Sequence, residues 1–113
     1  MNKIFLSAEA QNDLKEIRQY ITEELNNPAA AESTLVRITR RIRTLADFAE
    51  IGSPLFSVVG SETAYRFLIC GNYLVFYRTE KDSVFVDRIL YGRRDYLRIL
   101  FGELLKEDDE PKI

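Results

Sequence analysis

Between Ala64 and Gly102 seven basic side chains are interleaved with tyrosines: Arg66, Arg78, Lys81, Arg88, Arg93, Arg94 and Arg98 among Tyr65, Tyr73, Tyr77, Tyr91 and Tyr96. Guanidinium and phenol groups displayed together can grip something anionic: nucleic acid, a nucleotide or an acidic protein surface. The chemistry open to them is narrow, because the chain has no histidine. That removes the commonest general base, the commonest transition-metal ligand and any Ser-His or Cys-His nucleophile pair. A zinc site needs several Cys or His ligands, and Cys70 is the sole cysteine. No metal site and no cofactor are expected. Any catalysis would rest on carboxylates, arginine and tyrosine.

The elements that must position these residues are legible in the spacing. Lys3 to Leu6 reads as a short strand, and Ser7 offers a helix N-cap with Glu9 in the first turn. Leu14, Ile17, Ile21 and Leu25 then recur at helical spacing. Asn26-Asn27-Pro28 ends that helix and starts the next, in which Ala31, Leu35, Ile38, Ile42 and Leu45 repeat as far as about Phe48. So short a link makes the pair a hairpin. Glu50 to Ser61, with its glycines and proline, reads as a loop. From Ala64 the period falls to two. Gly71-Asn72 is a type II′ hairpin signal, Glu80 to Ser83 turns again, and Val84 to Tyr91 is a third strand of an antiparallel meander. Gly92 breaks it, and Asp95 to Lys106 carries helical spacing again. The expected class is α+β: a helical hairpin packed on a curved antiparallel sheet, with a short C-terminal helix.

At 113 residues, 46% apolar and 30% charged, the chain reads as one folded domain over 1–106, with an acidic tail over 107–113 expected to be disordered. No apolar run approaches the roughly 20 residues that span a bilayer, and the N-terminus lacks a signal-peptide core. With a lone cysteine as well, a cytoplasmic location and no membrane partner are expected. Net charge is −2, unevenly spread: residues 37–46 hold four arginines and no acid, residues 63–102 sum to +3, and the tail sums to −3. A local rather than general basic surface argues against a bulk electrostatic grip on nucleic acid.

The order and spacing of these pieces resemble the RelE/ParE superfamily, toxins of type II toxin–antitoxin systems. The likeness runs through Ser7-Ala8-Glu9-Ala10, Asn27-Pro28-Ala29-Ala30-Ala31, Tyr65-Arg66-Phe67-Leu68-Ile69, Gly71-Asn72-Tyr73-Leu74-Val75-Phe76-Tyr77-Arg78 and Arg88-Ile89-Leu90-Tyr91-Gly92-Arg93-Arg94-Asp95. It implies a cognate antitoxin as partner, contact with operator DNA only through that antitoxin, growth inhibition and plasmid stabilisation. RelE-like members cut mRNA on the ribosome with a cluster of basic side chains and often a tyrosine. Here Arg66 and Arg94 keep two of those positions, but the others fall at Leu68, Leu74 and Leu100. Each missing cation would cost the transition state a few kcal/mol. The Gly92-Arg93-Arg94-Asp95 ending is more like ParE, whose members bind DNA gyrase without chemistry.

The resemblance therefore favours a gyrase-binding toxin with no catalytic residues, using Arg66, Arg78, Arg93 and Arg94 on its target. Arg37, Arg41, Arg88 and Tyr91 are the residues assigned to the antitoxin. A ribosome-dependent endoribonuclease using Arg66, Arg94 and Tyr96 is the alternative, and a non-toxic relic that only regulates its operon is a third. Plainer roles stand beside each of these. Arg37, Arg40, Arg41 and Arg43 suit a solvated helix face. Arg66 and Arg78 suit internal salt bridges to Asp87 or Glu62. Asp95 suits a helix cap, the tyrosines suit packing, and Cys70 suits a small buried filler.

Overall fold

The computed structural model describes residues 1–54 and 65–92. The expected helix over Asp95–Lys106 and the acidic tail lie outside them, as do Arg93, Arg94 and Tyr96. Strand β1 (Lys3–Leu6) leads into helix α1 (Ala8–Gln19), a π-helical turn (Tyr20–Glu24) and helix α2 (Pro28–Arg43), which closes in a 3₁₀ turn at Thr44–Ala46. The rest is β: β2 (Ser53–Pro54), β3 (Arg66–Cys70), β4 (Tyr73–Glu80) and β5 (Ser83–Tyr91). The five strands form one sheet in the order β1-β5-β4-β3-β2. Strands β2 to β5 are antiparallel, as expected of the meander, and β1 joins the far edge parallel to β5.

Both helices begin where the sequence places them. Ser7 Oγ accepts the Ala10 N–H at 2.9 Å, and Asn27 Oδ1 accepts the Ala30 N–H at 3.0 Å with Pro28 following it. Each such cap is worth about 1 kcal/mol. Ser7 also ties α1 to the sheet: its hydroxyl donates to the Asp87 carbonyl at 2.8 Å, and its N–H donates to Val86 at 2.9 Å. That contact sits at a bulge, where Phe76 pairs with Arg88 but Tyr77 pairs with Val86, so Asp87 is the extra residue.

The first helix departs from its expected length. Its α-helical part stops at Gln19, and the π turn carries the chain on, with the Leu25 N–H donating to the Tyr20 carbonyl at 3.2 Å. The wider turn rotates the residues after it about the helix axis, so Ile21 stays buried while Leu25 comes out at 55% exposure. Asn26, at φ +51°, then reverses the chain. The hairpin covers one face of the sheet: Ile17, Ile21, Ile38, Ile42 and Leu45 pack with Leu68, Val75, Tyr77, Val84 and Val86. Strand β4 is buried on both faces, because Leu74 and Phe76 alternate with those core residues and cluster with Leu90, Tyr65 and Phe67 on the other side.

Candidate partner-binding groove and arginine face

The strand arginines are held by internal partners. Arg88 and Asp13 form a bidentate pair, with Nε on Oδ2 at 2.9 Å and Nη2 on Oδ1 at 3.0 Å. Asp13 is buried, and the same Oδ2 accepts the Ile89 N–H at 2.8 Å. β1 pairs with β5 only from Ser83 to Val86, so beyond that point α1 takes over the edge of β5 through Asp13. Arg78 pairs with Asp87 at 3.3 Å and lies 4.6 Å from the centre of the Phe85 ring. Arg66 donates through Nη1 to the carbonyls of Gly52 at 2.8 Å and Glu50 at 3.3 Å.

Those same loop residues meet Tyr77, a fully buried side chain in the centre of the sheet. Its hydroxyl donates to the Ala49 carbonyl at 2.8 Å and accepts the Gly52 N–H at 2.9 Å. Burial raises the Tyr77 phenol above its ordinary value of 10.0. Gly52 is required there. A Cβ at that position would lie 2.7 Å from both the Phe67 carbonyl and the Tyr77 hydroxyl. Arg66 and Tyr77 together fasten the segment that leads into β2.

Where the helical hairpin meets the Gly71-Asn72 turn, the surface is different. Two adjoining hollows of about 440 and 480 Å³ share Tyr20, Tyr73 and Tyr91 as their common wall. Tyr73 and Tyr91, opposite each other on β4 and β5, meet edge to face with ring centres 5.2 Å apart. Tyr20, at the end of α1, and Leu25, just past the π turn, border the same groove, and Ile21, Ile38 and Cys70 also line it. Tyr20, Leu25 and Tyr91 are all more than half exposed, an unusual concentration of uncovered apolar surface. Arg37 stands at one end, over Gly71, and Glu16 at the other. Burial, with Tyr91 and Tyr20 adding, raises the Tyr73 phenol above 10.0. Burial likewise raises the Cys70 thiol above 9.0, against the pull of Arg37 and Arg41.

Of the residues singled out in the sequence, Arg37, Arg88 and Tyr91 come together around this groove, and Arg41 lies near Cys70 behind it. Arg66 and Arg78 lie apart from it on β3 and β4, each engaged as above. Arg78 has the Asp87 partner that its plainer reading named. Spacing alone missed Tyr20, Leu25 and Asp13. Leu25 is hidden from the spacing by the π turn, and Tyr20 lies off the apolar stripe of α1. Asp13 did carry a signal: it falls three residues after Ala10 and four before Ile17, on the buried stripe of α1. A carboxylate on such a stripe needs a buried partner.

Among the described residues, buried polar ties hold the sheet, and an apolar groove lies open beside it. Residues 4–96 match the model of the ParE toxin of the type II toxin–antitoxin system parDE, and the chain belongs to that family. Among solved structures it is similar to a chain of the chromosomal ParDE TA system from P. aeruginosa, at 20% identity and a TM-score of 0.68. The alignment covers 82% of this chain and 98% of that one, and shows that the two share a fold. No curated protein matches the chain. Among the described residues no helix is long and apolar enough to cross a membrane.

Proposed function

We propose that this chain is a cytoplasmic toxin that arrests growth by binding DNA gyrase and is neutralised by a cognate antitoxin. The observation that supports binding over RNA cleavage is the absence of a cation cluster around Arg66: Leu68 and Leu74, where the RelE-like resemblance would set cations, are buried. A nuclease needs that guanidinium preorganised toward a scissile phosphate. Here Arg66 keeps one such cation, its Nη1 donating to the carbonyls of Gly52 and Glu50, and Leu68 and Leu74 supply none beside it. The chain has no histidine to replace it as an acid or base. Arg66, through the N–H groups that Gly52 and Glu50 do not take, and Arg78, Arg93 and Arg94 are the cations proposed for the gyrase contact. Arg37, Arg41, Arg88 and Tyr91 are assigned to the antitoxin, which alone would carry the complex to operator DNA.

Induced expression without the antitoxin, followed by a supercoiling and cleavage assay on purified gyrase and by primer extension on cellular mRNA, tests the reading. Gyrase-linked DNA breaks with intact mRNA are expected. Codon-phased mRNA cuts with unaffected gyrase would make the chain a ribosome-dependent nuclease, and normal growth would make it a regulatory relic.

A further inference from the structure

We infer that the arginine face of α2 is the seat of an acidic run of this same chain, Glu107-Asp108-Asp109-Glu110, which lies outside the described residues. The inference stands apart from the choice of gyrase or ribosome as target. Arg37, Arg40 and Arg43 are exposed along α2, with Arg41 half-buried beside them. None of the four makes an ion pair or hydrogen bond among the described residues. Residues 37–46 contain no acid, and Glu32, earlier on the same helix, is taken by Arg18 at 3.0 Å. Arg37 neighbours Arg40 and Arg41 at helical spacings of three and four, and Arg40 neighbours Arg43, so like charges repel along the row. An anion laid against it relieves that repulsion.

Charge, dimension and place choose the occupant. Glu107 to Glu110 is the longest run of acids in the sequence. Extended, its four residues span roughly 10 Å, and Arg37 to Arg43 cover about 9 Å of helix. The strand arginines offer no equal seat, because Arg78 and Arg88 already hold carboxylates and Arg66 holds carbonyls. The chain also leaves the sheet beside α2. The Gly92 N–H donates to the Asn72 carbonyl at 2.8 Å, and a Cβ on the adjoining Gly71 would lie 3.5 Å from Arg37 Nη1. Glu107 follows Gly92 by fifteen positions. A linker of that length reaches about 22 Å even if fully helical, more than twice the arginine row. Tethered this closely, the run faces α2 at an effective concentration on the order of millimolar. An anionic partner arriving at this face must displace it.

The experiment reads the arginine Nε–Hε signals of the full chain by NMR. The wild type is compared with a neutralised chain carrying Glu107→Gln, Asp108→Asn, Asp109→Asn and Glu110→Gln. At low salt the signals of Arg37, Arg40, Arg41 and Arg43 should differ between the two chains, while those of Arg18 and Arg78 should coincide. The difference should vanish near 1 M salt, where charges are screened within about 3 Å. A second measurement titrates each chain with a synthetic peptide, Lys-Glu-Asp-Asp-Glu-Pro, that copies residues 106–111. The peptide should bind the neutralised chain at least threefold more tightly than the wild type, and Arg40→Gln with Arg43→Gln should abolish that gain. Signal differences confined to residues 93–113, or centred on Arg66, Arg78 or Arg88, would overturn the inference. So would differences that grow with protein concentration, which would put the run on a second copy. Equal peptide affinity for the two chains, or no binding to either, would overturn it as well. Growth arrest does not enter these readouts, so the seat and the toxin reading fail separately.

Discussion

The arginines of the sheet and the arginines of α2 are the same residue put to opposite uses. Arg66, Arg78 and Arg88 each reach a partner within the chain: loop carbonyls, Asp87 and Asp13. Arg37, Arg40, Arg41 and Arg43 reach none among the described residues. The first group holds the scaffold, and the second leaves charge for something outside it. Depth separates the extremes, with the Arg88 side chain 20% exposed and Arg37, Arg40 and Arg43 on the surface, while Arg41 and Arg78 lie between. A guanidinium on a strand beside a packed helix must be neutralised locally, because an unpaired buried charge costs several kcal/mol. One on an outward helix face is hydrated at little cost, and at a helix C-terminus it also complements the dipole.

Asp13→Ala should therefore have the largest effect. It removes the buried carboxylate that Arg88 and the Ile89 N–H share, and leaves that N–H without its acceptor. A loss of about 3–5 kcal/mol is expected, on the scale of other broken buried pairs. For a domain of this size that lowers Tm by about 10–25 °C, readable by calorimetry. The double change Asp13→Ala with Arg88→Met should recover part of the loss, since an apolar side chain in place of the guanidinium needs no carboxylate beside it. A double variant no better than Asp13→Ala would mean that the pair acts mainly by its shape.

Next is the fastening of residues 49–52. Gly52→Ala forces a Cβ against the Phe67 carbonyl and the Tyr77 hydroxyl and should cost about 1–3 kcal/mol, as overpacking does. Tyr77→Phe leaves the Ala49 carbonyl and the Gly52 N–H without their shared hydroxyl, at a similar cost of about 1–3 kcal/mol. The buried acids also set the response to alkali. Cys70 lies above 9.0, and Tyr65, Tyr73 and Tyr77 lie above 10.0, chiefly because burial disfavours their charged forms. The unfolded chain therefore loses these protons first as pH rises, so stability falls from about pH 9 upward. Chemical denaturation at pH 8 and pH 10.5 checks the direction. Constant stability across that range would contradict it.

Much of this frame could be read from the residues, for definite reasons. Ser7, Asn27-Pro28, the apolar repeat of α2, and the Gly71-Asn72 and Lys81-Asp82 turns act locally, so their spacing alone predicts them. The features that could not be read depend on contacts between distant segments. The parallel seat of β1 on β5, the two-residue β2 and the Arg88–Asp13 pair each join residues far apart in the chain. The π turn is local but leaves no periodic trace, because Leu25 still falls four residues after Ile21. That single irregularity turns Leu25 from the expected core into the groove. The groove leaves no trace in the spacing for that reason, although three of its residues, Arg37, Arg88 and Tyr91, are ones the resemblance assigns to a partner.

A smaller effect tests the intermediate case. Arg78 and Asp87 are partly exposed at 3.3 Å, so their ion pair is screened by water. Arg78→Ala should cost under about 1 kcal/mol, with its contact over Phe85 included. In a double-mutant cycle with Asp87→Ala, the coupling should shrink further in high salt. A coupling as large as that of Arg88 with Asp13 would remove the distinction by depth.

The smallest change in stability is expected on α2, and there the comparison is sharpest. Arg40→Gln and Arg43→Gln remove charge from the last turn of the helix and should shift stability by no more than about 0.5 kcal/mol, the cost of a weakened dipole interaction at an exposed site. The same neutral fold should bind a partner less well, and less steeply with falling salt, because these charges raise the rate of encounter. Arg43 lies outside the walls of the groove, so its effect should fall on the association rate alone. Arg37 stands in the groove wall, and its loss should also speed dissociation. Surface plasmon resonance on Arg43→Gln and Arg37→Gln at two salt concentrations separates these outcomes. If Arg43→Gln destabilised the chain as much as Gly52→Ala, the α2 arginines would belong with the scaffold, and a surface reserved for a partner would have to be sought elsewhere.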